Sequence, residues 1–572
     1  MMVLSAAERC GPVLGALLGA VLGGCGGGGP DPADLVVLNG RLVTLASPSE
    51  AEALAAAGGR IVFVGSSDGA RSWIGPDTEV LDLQGRLGVP GFIEGHGHFW
   101  SVGEARLQLA LDGARTWDEI VAQVAAAVAE AEPGTWILGR GWHQSKWSET
   151  PVPAVQGLPT HHGLSAVSPE NPVLLGHASG HMAFANARAM ELAGIDAATA
   201  DPEGGEIVRD ADGQPTGALR ETAETLVAGL RSETLEPNYA RQVVRLAGEE
   251  CLAKGITSFQ DAGSSFGLID AYRQMADDGV LPLRLWVMVN ESNEALARRL
   301  GRYRMIDRGD GFLTVRGIKR LIDGALGSHG AWLLDPYEDM PQSTGLNTTS
   351  LDVMEETARL AREHDFQLCV HAIGDRANRE TLDLFERVLA GDRTRRWRVE
   401  HAQHLHPDDV PRFARLGVIA SMQAVHCTSD GPWVPDRLGE QRSAEGAYVW
   451  RVLIESGAVV TNGTDAPVED VDPIASFHAS VTRRMANGEV FYEEQRMTRE
   501  EALRSYTIDA AYAAFEEGAK GSLEVGKYAD LTVLSRDIMI VPEEEIPGTR
   551  VVYTIVGGQL AYRLPSPPSP AG

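Results

Sequence analysis

The chain has 572 residues, 44% hydrophobic and 23% charged, an ordinary globular composition with room for several domains or for one large barrel and an attached domain. Its formal net charge of −29 argues against a partner such as nucleic acid or an anionic membrane surface, which would repel it. Five cysteines with no Cys-x-x-Cys pair argue against a disulfide framework and against structural zinc of that type.

In chain order, Gly11 to Leu22 is apolar but too short to span a bilayer permanently. Small residues then lead into Cys25, as Leu22-Gly23-Gly24-Cys25, in the manner of a bacterial lipobox. Cleavage there would leave a lipidated cysteine on a glycine-rich tether over residues 26–33. The expectation is an exported lipoprotein, attached to a membrane only through Cys25, with residues 1–25 as its signal. Arg9 is the only positive side chain before Cys25, so ordinary secretion and a cytoplasmic protein with a Gly-rich tail stand as alternatives.

Residues 34–89 read as short strands with tight turns. Leu35-Val36-Val37-Leu38, Asn39-Gly40 and Arg41-Leu42-Val43-Thr44-Leu45 predict a hairpin. Near the other end Asp530-Leu531-Thr532-Val533-Leu534 and Val551 to Val556, then Gly557-Gly558, then Gln559-Leu560-Ala561-Tyr562, repeat the style. Neither piece has enough strands alone, so 34–89 and 522–563 are expected to share one small β-sandwich.

Residues 90–521 alternate apolar strands with helical segments. The candidate strands are Gly91–His98, Thr257–Gln260, Leu283–Asn290, Leu313–Ile322, Phe366–His371, Trp397–His401, Val418–Gln423 and Ala458–Gly463. Eight strands separated by helices predict an α/β fold of the (β/α)8 TIM-barrel type. About 150 residues separate the first strand from the second, so residues 104–240 are expected to hold an insertion. Residues 564–572 are a Pro/Ser-rich tail.

Barrel active sites form at the C-terminal ends of the strands. His96 and His98 end the first strand, and alternation lets both face one point. Lys319 lies near the end of the fourth strand, His371 ends the fifth, His401 ends the sixth and Asp465 follows the eighth. This mixture of imidazole and carboxylate suits zinc first, then other first-row divalent ions.

Five phrases in barrel order carry a resemblance: Pro90 to Phe99, Lys319 to Ala331 with Asp323-Gly324-Ala325-Leu326-Gly327-Ser328, His371 to Asp375, Glu400-His401-Ala402-Gln403, and Thr464-Asp465-Ala466-Pro467. Together they resemble the amidohydrolase superfamily, in its YtcJ-like branch (amidohydrolase family 3), over roughly residues 34–562. The resemblance implies that His96, His98 and Asp465 bind the more buried metal, and His371 and His401 a second one where present. Lys319 matches a position where many superfamily members carry a CO2-modified lysine bridging two metals. That chemistry needs an amine whose pKa is lowered. An unmodified lysine paired with Asp323 or Asp465 is the alternative, which leaves one ion or two open. Asp465 is the expected general acid/base, taking a proton from water and passing it to the leaving amine.

Substrate-side residues are expected on three segments. His181, in Ser179-Gly180-His181-Met182-Ala183-Phe184-Ala185-Asn186, looks like the family's Gly-His…Asn segment and would hydrogen-bond the substrate carbonyl. Gln423 and His426 match a Gln…His pattern after the seventh strand. Trp142, in a Gly-rich stretch with Trp136, His143 and Trp147, would line an apolar pocket or pack the insertion on the barrel. His329 stands where the family more often has arginine. His161, His162, His364, His404, His406 and His478 read as surface or helix positions. The resulting expectation is a metal-dependent hydrolase of a non-peptide C–N bond, amide or N-acyl, acting on a small molecule. Ester or lactone hydrolysis on the same site and a non-catalytic surface-displayed binding protein are the alternatives. Competent residues at all six ligand positions speak against the last. Oligomeric state, a homo-oligomer included, is open.

Overall fold

The computed structural model describes residues 30–230 and 237–565. The lipobox reading at Cys25 and all but the first two residues of the tail lie outside the described residues. Eight strands, β1 (Phe92–Gly97), β2 (Ile256–Ser264), β3 (Arg284–Val289), β4 (Leu313–Leu321), β5 (Gln367–Ala372), β6 (Arg398–His401), β7 (Ile419–Met422) and β8 (Val460–Asn462), pair in parallel in that order. They coincide with the eight expected strands to within a few residues. The strands are buried along most of their length because both faces are covered: every residue of β3 and of β5 is buried.

The barrel closes where β8 meets β1. A Cβ on Gly95 would overlap the carbonyl oxygen of Asn462, so only glycine lets the two strands approach. Just beyond, the Asp465 N–H donates to the His96 carbonyl at 2.8 Å and the His98 N–H to the Ala466 carbonyl at 2.7 Å. The closing seam is thus stitched by the residues that flank the site. Outer helices follow from amphipathic spacing. Leu351–Glu363 starts on Ser350, whose hydroxyl accepts the Val353 N–H, and buries Met354, Thr357, Ala358 and Ala361 on one face.

The connection from β1 to β2 holds a second sheet. Its six strands run in the order Gly205–Arg209, Pro215–Glu221, Met182–Ala185, Val173–His177, Ile137–Trp142 and Leu109–Ala110. Helix Trp117–Glu130 covers it, with Trp117, Ile120 and Val124 in one core with Trp142 and Phe184. Helix Pro237–Ala253 then returns the chain to the barrel.

The terminal segments form two further sheets. One has four strands, in the order Arg60–Gly65, Ala53–Ala57, Leu35–Leu38, Glu79–Asp82. The other has six, in the order Gln559–Arg563, Val551–Val556, Leu531–Leu534, Leu87–Pro90, Arg41–Val43, Glu50–Ala51. Leu35, Val37, Leu42, Leu531, Val533 and Ile555 share one core, so both ends of the chain build this unit. The hairpin expected at Asn39-Gly40 does not form. Leu35–Leu38 belongs to the first sheet and Arg41–Val43 to the second, and Asn39, at φ 54°, turns the chain from one to the other. A two-residue Asn-Gly turn suits either path; the need to cover both inner faces decides it.

Candidate metal centre and substrate pocket

His96 is fully buried at the end of β1. Its Nδ1–H donates to Glu400 Oε2 at 2.5 Å, which leaves the lone pair on Nε2, the nitrogen that faces the cluster. Burial is the main force that pushes the imidazole down to about 4, so it is neutral and able to ligate. Burial would raise Glu400, but the Arg398 guanidinium, 2.7 Å away, together with His96 holds it well below the carboxylate range.

His401 follows the same design from β6. Its Nδ1–H donates to Gln423 Oε1 at 2.7 Å, leaving Nε2 for the site. The backbone at His401 has φ 72°, and the strand alternation breaks there. That break lets Glu400 reach His96 from inside the barrel while its neighbour joins the mouth. The His401 ring centroid lies 4.7 Å from that of His96 and 4.6 Å from that of His371. Burial lowers both His371 and His401 well below the usual imidazole value.

Asp465 follows β8 at φ 56°. Its Oδ1 stands 3.1 Å from His98 Nε2 and 3.7 Å from His96 Nε2. Burial opposes its ionisation, but His98, His96 and His401 hold it well below the usual carboxylate value. Glu94 accepts the Thr464 N–H at 2.5 Å and fixes the turn that carries Asp465. Lys319 projects from β4, 3% exposed, with Nζ 3.2 Å from His96 Nε2. It meets that nitrogen rather than the carboxylate of Asp323 or Asp465, and burial lowers its pKa. Asp323 instead accepts the N–H groups of Trp332, Ile373 and Gly374.

Six expected ligands therefore line one barrel mouth, and ligand atoms of His96, His401 and Asp465 all lie within 4.8 Å of one another. The donor set fits a divalent cation. Neutral imidazoles and an ionised carboxylate converge, and Nε2 of His371 is buried with no hydrogen-bond partner among the described residues. His371, His401 and Asp465 carry the pKa directions a ligand needs.

A cavity of about 150 Å³ opens over this cluster, lined among others by His181, His426, Ser328, Trp433 and Val468. His426, on the short helix Ala424–Asp430, stacks its ring on that of His401 at 6.3 Å and has Nε2 without a hydrogen-bond partner among the described residues. His181 donates Nδ1–H to Glu221 Oε2 at 2.7 Å. Burial alone would lower it, but Glu221 overrides this and pushes it up to about 9. Trp142 is corrected: it does not line this cavity. It is fully buried in the core of the insertion, its indole N–H donating to the Leu175 carbonyl at 2.9 Å, and His143 beside it lines the cavity instead. A residue on a paired strand must face one side or the other, and Trp142 faces the covering helix.

His404 is also corrected. It is 3% exposed, neither ring nitrogen has a hydrogen-bond partner among the described residues, and burial pushes it down to about 3. The segment after β6 runs inward, its His404 N–H donating to the Ile373 carbonyl at 3.0 Å, before the turn of helix at Pro407–Asp409 begins. His329 pairs with Asp339 at 3.1 Å. The residues that sequence reasoning missed are Glu221, Arg398 and the partner role of Glu400. Glu400 had a signal, an acid directly beside a ligand; Glu221 had none, since its partner lies 40 positions away.

The amidohydrolase family model matches residues 79–562. A protein of Bacillus subtilis (strain 168), provisionally named amidohydrolase YtcJ, is 32% identical over 85% of this chain and 91% of its own. The N-substituted formamide deformylase of Arthrobacter pascens is 30% identical over 92% of this chain and 98% of its own. A solved metal-dependent hydrolase from Pyrococcus horikoshii OT3 superposes with TM-score 0.72 at 26% identity, covering 89% of this chain and 99% of that one. The chain belongs to this amidohydrolase family and is a metal-dependent hydrolase of carbon–nitrogen bonds other than peptide bonds.

Proposed function

We propose that the chain hydrolyses the amide or N-acyl bond of a small molecule, with Asp465 as general acid/base. The observation that carries this reading is the convergence of His96, His401 and Asp465 within 4.8 Å, with His98, Lys319 and His371 around them. A bound divalent ion, zinc first by donor chemistry, would supply Lewis acidity to the carbonyl and lower the pKa of water toward neutrality. The chain's own residues do the rest. His96 and His401 are held in one tautomer by Glu400 and Gln423, so their Nε2 atoms stay aimed at the cluster. Asp465, ionised and beside His98, accepts the proton of the attacking water and returns it to the leaving nitrogen. His181 donates to the carbonyl oxygen as negative charge grows there, and His426 faces the same cavity. Lys319, desolvated beside His96, would be suited to carry a CO2-derived carboxylate and so add an oxygen ligand to those of the histidines and Asp465; mass spectrometry of native protein and metal stoichiometry decide this. The formamide deformylase relative supports a small acyl group.

The test is metal analysis with a screen of N-substituted formamides, longer N-acyl amines, esters and lactones. Amide turnover that disappears on chelation and returns with zinc is expected. Turnover in metal-free protein, or turnover of esters alone, would overturn the reading. For location we propose export with lipidation at Cys25. Cys25→Ser should release the protein from membranes, and unchanged partitioning would count against lipidation.

A further inference from the structure

His181 and Glu221 come from neighbouring antiparallel strands of the insertion, Met182–Ala185 and Pro215–Glu221, in which Met182 faces Arg220. One step further along that register sets His181 against Glu221, and the Glu221 N–H donates to the His181 carbonyl at 3.1 Å. Their side chains then meet through the 2.7 Å hydrogen bond between Nδ1 and Oε2. With Nδ1 engaged, Nε2 is the nitrogen that His181 offers to the cavity it lines. Its ring centroid lies 5.1 Å from that of His371.

Glu221 itself is held from three sides. Its backbone is at φ 50°, ψ −128°, a conformation a residue with a Cβ adopts only when its surroundings require it. Ser328 Oγ donates to Oε1 at 3.4 Å. A Cβ on Gly330 would stand 2.6 Å from Oε1, and one on Gly324 would overlap the same oxygen. The loop after β4 therefore wraps the Glu221 carboxylate, and two of its glycines leave the room that group occupies. His181 lines the cavity, whereas the Glu221 carboxylate is turned to His181 and Ser328 behind it.

We propose that Glu221 is a positioning residue, clamped between the insertion and the loop 323–330, that holds His181 in one orientation with Nε2–H presented to the substrate carbonyl. It rests on the assignment of His181 to that carbonyl. The clamp also ties the insertion to the barrel mouth, so the substrate-side donor is set by contacts that span both.

The experiment uses the metal-loaded full chain with Glu221→Gln, His181→Ala and the double variant. Each is checked for melting temperature and metal content, and 15N-histidine spectra follow the His181 Nδ1–H resonance, assigned by its loss in His181→Ala. Glu221→Gln is expected to keep its metal, lose or markedly shift that resonance, and lower kcat about 10- to 100-fold with KM changed less than about threefold. The double variant should be no slower than His181→Ala, because both substitutions remove one function. Wild-type kcat in Glu221→Gln with His181→Ala impaired would overturn the role of Glu221. So would a double variant whose loss is the product of the two single losses. Wild-type kcat in His181→Ala would instead overturn the assignment of His181 on which the proposal stands. If Glu221→Gln melts early, Glu221→Asp, which keeps the charge but withdraws it by one methylene, is read by the same resonance and the same kinetic split. Gly324→Ala, which crowds the carboxylate from the other side, should reproduce the Glu221→Gln pattern with metal retained, and unchanged kcat there would count against the clamp.

Discussion

Arg284, at the start of β3, and His371, in β5 at the opposite end of the barrel, are both 2% exposed, yet they are buried in different ways. Arg284 is fully engaged. Its Nε and Nη2 donate to Asp530 at 2.8 and 3.2 Å, its Nη1 to the carbonyls of Asp310 and Gly311, and its guanidinium lies 3.7 Å over the Tyr528 ring. Asp530 also takes the Gly557 N–H. At the mouth, Nε2 of His371 has no hydrogen-bond partner among the described residues, and the carboxylate of Asp465 faces the rings of His98 and His96 at 3.1 and 3.7 Å. A buried polar group left without a partner costs about 1–3 kcal/mol, so one that stands among convergent imidazoles and a carboxylate is a candidate for completion by a cation. Paired charge at the junction of barrel and sandwich is architecture; at the mouth, imidazoles and a carboxylate converge with no basic side chain among the described residues clamped between them as Arg284 is on Asp530.

Substitutions at the two ends should therefore fail differently. The largest effect is expected for His401→Ala or His96→Ala, which should lose metal and turnover together, the latter by about 10³-fold or more. Metal analysis beside steady-state rates checks this, and a variant that keeps both would break the contrast. Asp465→Asn should lower kcat about 10²- to 10⁴-fold while part of the metal stays bound, because it removes the proton carrier more than the ligand. At the other end Arg284→Ala should cost about 3–5 kcal/mol in denaturant unfolding by stranding Asp530, yet leave metal per folded molecule unchanged.

The smallest effect sharpens the same point on an outer helix. Glu501 pairs with Arg451, which holds its carboxyl down to about 2, and closes a capping box with Thr498. Its folded pKa is depressed, so its contribution is complete above the ordinary carboxyl value of 4.5 and fades as pH falls through about 2. Glu501→Gln, which keeps the cap, should cost about 1 kcal/mol or less at pH 7 and converge with wild type in acid. Unfolding curves at several pH values test this, and turnover should not move.

Much of this was legible before any coordinates. The eight barrel strands could be read because parallel strands covered on both faces are continuous apolar runs. The six candidate ligands could be picked out because barrel sites form at or just beyond strand ends, which is where these residues lie. What could not be read shares one physical cause. Trp142 lies on a strand with an apolar core against each face, and it joins the one under helix Trp117–Glu130. Asn39-Gly40 suits a hairpin as well as a crossing between sheets. His404 follows His401 by three positions and turns inward because the loop is drawn against Ile373.

The amino-acid order alone determined the barrel, its insertion and the chemical kind of its site, since periodicity and ligand type are local properties that survive without neighbours. Which way Trp142 and His404 face, how His96 and His401 are fixed in one tautomer, and that Glu221 grips His181 were decided by packing between distant segments. Those contacts depend on how a long insertion settles over the barrel mouth, and no pattern along the chain encodes that distance.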